Sequence, residues 1–180
     1  MLNKFNILGK TILQLRELIE KKIISEKELF DYFKKRIDKY NKQLNAFITV
    51  CNNTNKNKKK AASGLLAGIP IAVKDIFCTK GIRTTAASNV LLDYIPPYNS
   101  TVYQKLEDSG AILLGKTNMD AWGHGASSEN TDFGPVKNPW DKTRVAGGSS
   151  GGNAAALITR MAVFGIGEDT GGSIRNPSTW

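Results

Sequence analysis

Apolar positions recur at helical spacing from the start of the chain. Ile12, Leu13, Leu15, Leu18 and Ile19 follow Thr11, a residue type that caps helix N-termini. Ser25-Glu26-Lys27-Glu28 has the form of a capping box, and Leu29, Phe30, Phe33 and Ile37 then fall on one helical face. The pattern predicts two amphipathic helices. Ala46-Phe47-Ile48-Thr49-Val50 predicts a short strand. Residues 52–60 are a low-complexity Asn/Lys tract, expected to be a solvated loop prone to disorder.

Beyond this tract the period changes. Ile69-Pro70-Ile71-Ala72-Val73 is an unbroken apolar run between Gly68 and Lys74, as in a strand buried on both faces. Ser100 is placed to cap a helix carrying Val102 and Leu106, closed by Gly110. Ala111-Ile112-Leu113-Leu114 predicts a second buried strand, residues 153–160 a helix, and residues 161–166 a third apolar run. This alternation predicts an α/β fold, a largely parallel or mixed sheet covered by helices, with no internal repeat. Functional loops are then expected at the carboxyl ends of the strands, where Lys74 and residues 169–173 fall.

Composition narrows the picture. The chain has 180 residues, 41% hydrophobic and 23% charged, which suits one globular domain. No stretch approaches the ~20 apolar residues of a membrane helix. Met1-Leu2-Asn3-Lys4-Phe5 lacks the apolar core of a secretion signal. Cys51 and Cys78 form no CxxC and read as reduced thiols of a cytoplasmic protein. The net charge of +9 lies wholly in residues 1–60, which hold 15 Lys/Arg against 6 Asp/Glu. Aromatics are not interleaved with it as an RNA-stacking surface needs, so it reads as lysine-rich helix surface and loop.

Two motifs invite other readings. Gly110-Ala111-Ile112-Leu113-Leu114-Gly115-Lys116-Thr117 matches a phosphate-binding loop letter for letter, but its variable positions read as the strand itself. His124 is the only histidine and has no Cys or His beside it, so a structural role outweighs a metal site or a catalytic base.

The chemistry concentrates elsewhere. Gly147-Gly148-Ser149-Ser150-Gly151-Gly152 and Asp169-Thr170-Gly171-Gly172-Ser173-Ile174-Arg175 surround hydroxyls with small residues, which lets main-chain N–H groups approach a developing negative charge. Lys74 can serve as their base if burial lowers its pKa from ~10.4 toward about 7–8. The expectation is burial beside residues 69–73 without a carboxylate partner. Asp75 should point the other way by strand alternation.

Lys74, Ser149 and Ser173, 75 and then 24 residues apart, stand in a register similar to that of the amidase signature family. Within it the chain most resembles the A subunits of the Glu-tRNA(Gln)/Asp-tRNA(Asn) amidotransferases, through Lys116-Thr117-Asn118-Met119-Asp120, Ser127-Ser128-Glu129-Asn130 and Phe133-Gly134-Pro135-Val136-Lys137-Asn138-Pro139-Trp140-Asp141. The resemblance implies Ser173 as nucleophile toward the glutamine amide, Ser149 as proton relay on a cis peptide bond, and Lys74 as base. It implies an oxyanion hole from the N–H groups of Thr170, Gly171, Gly172 and Ser173, with Ser150, Asp169 and Arg175 in support and no metal. It implies that this chain holds no cofactor and that ATP and Mg2+ belong to a partner. It further implies a heterotrimer with subunits B and C, and tRNA met through the complex. A stand-alone amidase and an inactive remnant are the alternatives.

Departures accompany the resemblance. Glu168 stands where a small residue is common, Asn153 replaces a usual serine and Asn176 a usual glutamine. Family members are more than twice as long. The chain is therefore expected to be the N-terminal part of a single amidase domain, with a helical segment 1–45 and a catalytic portion 64–180, incomplete at its C-terminus, poorly folded and inactive alone.

Overall fold

A computed structural model describes residues 7–52 and 64–179. Most of the Asn/Lys tract, Met1–Phe5 and Trp180 lie outside the described residues. Two helices, α1 (Ile12–Glu20) and α2 (Glu26–Leu44), precede β1 (Phe47–Val50). Then follow β2 (Pro70–Lys74), α3 (Thr101–Asp108), β3 (Ile112–Thr117), α4 (Gly151–Ile158) and β4 (Phe164–Ile166).

Both predicted caps form. The Thr11 hydroxyl accepts from the Gln14 N–H, and Gln14 answers by accepting from the Thr11 N–H at 2.9 Å. Ser25 and Glu28 make the same reciprocal pair at α2. One position departs from the predicted face. Leu15 is fully buried but Leu13 is 80% exposed, because two residues are about 200° around a helix. α2 buries Leu29, Phe30, Phe33, Ile37 and Leu44. Its polar side carries only part of the basic excess, six Lys/Arg against four Asp/Glu, including the pairs Lys27–Asp31 and Lys34–Asp38. Asn45 closes α2 in the left-handed region, φ 52°, and its side-chain amide donates to the carbonyls of Phe133 and Gly134.

The four strands lie in the order β1-β3-β2-β4. β2 pairs parallel with both β3 and β4, whereas β1 runs antiparallel to β3. The sheet is therefore mixed, with a parallel core. β2 and β3 are buried at every position, as their unbroken apolar runs predict. β3 runs further than the apolar run, through Gly115, Lys116 and Thr117, because Lys116 finds a buried acidic partner. Only residues 164–166 of the third run are strand. α2 and α4 pack on the sheet, and Leu15, Phe30, Ile71, Leu113 and Met161 belong to one continuous core. No helix among the described residues is long and apolar enough to cross a membrane.

Phe30 of α2 is 1% exposed and belongs to the core. Phe30→Ala should lower unfolding stability by about 3–5 kcal/mol, seen as a lower urea midpoint at unchanged slope. Leu13→Ala, on the solvent side of α1, should stay within about 0.5 kcal/mol.

Candidate active site

Lys74 is the last residue of β2 and is fully buried, as the flanking apolar run requires. Its Nζ lies 2.6 Å from the Ser149 hydroxyl. Burial pushes the amine below the ordinary lysine value, and the Glu168 carboxylate in contact with it is the main opposing influence. The expectation that Lys74 lacks a carboxylate partner is thus corrected. Glu168 leaves the end of β4 beside the end of β2, because the two strands run parallel and finish together. Asp75 does face away, onto Thr85 and Lys116.

The peptide bond between Gly148 and Ser149 is cis. Several groups fix this segment. The Ser149 carbonyl accepts from the Asp120 N–H at 3.2 Å and from the Ser128 hydroxyl at 3.3 Å. Asp120 is itself buried and accepts the N–H groups of Ser128 and Asn130. A Cβ on Gly148 would meet Asp120 Oδ2 at 2.1 Å, so only glycine admits that carboxylate. Immediately after Ser149, α4 begins, and Asn153 on its first turns anchors to the Thr117 hydroxyl and the Ile166 carbonyl.

Asp169 organises the second loop. Its carboxylate accepts the N–H groups of Gly172, Ile174 and Arg175 and binds the Arg175 guanidinium. The Arg175 bond, above all, holds Asp169 well below the usual carboxylate range. The two loops meet through the main chain: the Ser150 N–H donates to the Ser173 carbonyl at 3.0 Å. Ser173 is buried, and its hydroxyl makes no hydrogen bond among the described residues, to Ser149 or to any other group. The N–H groups of Thr170, Gly171 and Ser173 are likewise unengaged there, whereas that of Gly172 is taken by Asp169 at 2.8 Å. Ser150 donates its hydroxyl to the Glu168 carbonyl at 3.4 Å, not to Lys74.

The site's acidic residues were the harder part to see in advance. Asp120 lies within a stretch singled out only for its resemblance, and Glu168 only as a departure; neither shows its contacts in sequence. The phosphate-loop match resolves differently. Lys116 is buried within β3, where it donates to the Phe77 carbonyl and Thr84 hydroxyl at 2.8 Å and pairs with Asp75 at 3.2 Å. His124 is exposed, and no cluster of metal-ligating side chains occurs among the described residues. Both cysteines are free, and burial pushes the Cys51 thiol up to about 11. A cavity of about 320 Å³ lies between Trp140, Ile158 and Pro177, and its lining includes none of Lys74, Ser149 and Ser173.

A buried lysine on a loop serine, beside a second glycine loop with open N–H groups, defines a hydrolase-like α/β site. The family model for Amidase matches residues 28–180, and the chain belongs to that family. It is 49% identical over 177 residues to the glutamyl-tRNA(Gln) amidotransferase A subunit of Coxiella burnetii, covering 94% of this chain and 37% of that protein. To the namesake of Dehalococcoides mccartyi it is 46% identical over 178 residues, again covering 94% and 37%. The crystal structure of the glutamyl-tRNA(Gln) amidotransferase A subunit from Thermotoga maritima superposes with a TM-score of 0.84 at 38% identity, covering 94% of this chain and 36% of that one. A 6-aminohexanoate cyclic dimer hydrolase superposes equally well, TM-score 0.84, at 29% identity over 94% of this chain and 36% of that one. The chain thus spans little more than a third of the length of these relatives.

The Asp75–Lys116 pair beneath the site is fully buried on both sides. Lys116→Met, leaving an uncompensated carboxylate, should cost about 3–5 kcal/mol in chemical unfolding. Adding Asp75→Leu should recover part of that loss rather than deepen it.

Proposed function

We propose that this chain carries the catalytic serine–lysine relay of the glutamine-hydrolysing component in a tRNA-dependent amidotransferase. The observation that carries the reading is the buried Lys74 amine 2.6 Å from Ser149, on a loop tied to Ser173. Ser173 attacks the side-chain amide carbon of glutamine. Its proton passes to the Ser149 oxygen while the Ser149 proton passes to neutral Lys74. The N–H groups of Thr170, Gly171 and Ser173 receive the oxyanion; Gly172 instead uses its N–H to hold Asp169. Protons then return along the same path to the leaving ammonia, and water hydrolyses the glutamyl-enzyme. The relay requires Ser149 and Ser173 to come within hydrogen-bond distance around bound glutamine, as catalytic pairs often do.

The ammonia is used on partner subunits B and C, in the cytoplasm, where ATP and Mg2+ activate misacylated tRNA; tRNA meets the complex rather than this chain. Identities of 46–49% to relatives bearing that name support this reading. The likeness to 6-aminohexanoate cyclic dimer hydrolase supports a second one, a stand-alone amidase on a different amide.

Glutamine hydrolysis by the whole protein, with and without partner subunits, tests both readings. Ser173→Ala and Lys74→Ala should each lower kcat/KM by at least about 10³-fold. Because Lys74 acts neutral, the rate should fall as pH drops through its titration. A Lys74→Ala protein hydrolysing glutamine at the normal rate contradicts the relay. Hydrolysis of a simple amide, unaltered by partners, with none of glutamine, favours the second reading.

A further inference from the structure

Glu168 touches the proposed base, yet the reaction just described gives it no task. It follows Gly167, past the end of β4, and is held at both ends. Its carbonyl accepts from the Ser150 hydroxyl, and its carboxylate bears on Lys74 Nζ. Over the carboxylate lies Gly123, with φ +76°, where an added Cβ would stand 3.1 Å from Glu168 Oε1. The Glu168 side chain is 26% exposed while that of Lys74 is 0% exposed, so the carboxylate stands on the solvent side of the amine.

The amine therefore has two oxygen neighbours of opposite consequence. As an ammonium it donates to both Ser149 and Glu168. As a neutral amine it can accept the Ser149 proton, which the relay requires. Other acidic groups act on Lys74 from Asp120, after β3, and from Asp169, beside Glu168. Both are committed elsewhere, Asp120 to the N–H groups of Ser128 and Asn130, Asp169 to Arg175 and its own loop. Asp75, next along β2, is paired with Lys116. Glu168 is the carboxylate in contact.

We propose that Glu168 is a positioning residue of the relay: its carboxylate pins the Lys74 amine against Ser149 and favours the protonated amine, so that it sets the acid limit of the reaction. The proposal rests on the reading of Lys74 as base. Its sign follows from charge. A carboxylate stabilises the ammonium, so Lys74 gives up its proton to water at a higher pH than burial alone would dictate.

The test is the pH profile of kcat/KM for glutamine hydrolysis by the whole protein, in wild type, Glu168→Gln and Glu168→Asp. Glu168→Gln should move the midpoint of the acid limb down by about one unit or more. It should also lower the plateau kcat, since the amide pins the amine less firmly. Glu168→Asp, with its charge withdrawn by one methylene, should give an intermediate midpoint and recover part of the plateau. A limb that stays in place in both variants overturns the proposal, even if the rate falls at every pH. Should Glu168→Gln fail to fold, the Asp variant decides alone: an unmoved midpoint overturns the proposal, a downward shift supports it. Failure of the parent reading looks different, because Lys74→Ala then hydrolyses glutamine normally whatever Glu168 does.

Discussion

A lysine amine taken fully out of water at the end of a central strand is the constraint around which the rest is arranged. Desolvation disfavours its charge, a serine hydroxyl lies 2.6 Å away, and a partly exposed carboxylate competes to keep it protonated. The apolar run of β2 supplies the burial, and the flanking strands β3 and β4 supply the walls. That geometry resists displacement, since β2 is buried at every position.

Around the amine, the same device recurs. Three carboxylates act chiefly as acceptors of main-chain or hydroxyl hydrogens. Asp120 gathers the Ser128–Asn130 turn, Asp169 gathers the Ser173 loop, and Asp75 fixes Thr85 while pairing with Lys116. Each converts an irregular loop into a fixed shape, which a site assembled at strand ends requires because loops carry no repeating hydrogen-bond ladder of their own. Glu168 differs in that its carboxylate bears on the Lys74 amine rather than on backbone.

The family shows how much of this is general architecture. Structures as distant as 29% identity share the backbone of this chain, with a TM-score of 0.84. One backbone is thus shared by a glutamyl-tRNA(Gln) amidotransferase subunit and a 6-aminohexanoate cyclic dimer hydrolase, so the fold alone does not name a substrate. Membership in the Amidase family and the amidotransferase role are therefore conclusions of different reach, the first drawn from residues 28–180 and the second proposed.

Local physics made much of the framework readable from sequence alone. Capping boxes at Thr11 and Ser25 and the apolar runs of β2 and β3 act over a few residues, so spacing reveals them. The glycine loops around Ser149 and Ser173 were equally visible in the residue pattern. The antiparallel placement of β1 and the true length of β3 were not, because each depends on a partner distant in sequence. The same holds for the site's charges. Lys74 and Glu168 lie 94 residues apart, and no local pattern states that they meet. Sequence determined which residues could do the chemistry; only the parallel alignment of β2 with β4 decided which carboxylate the amine would face.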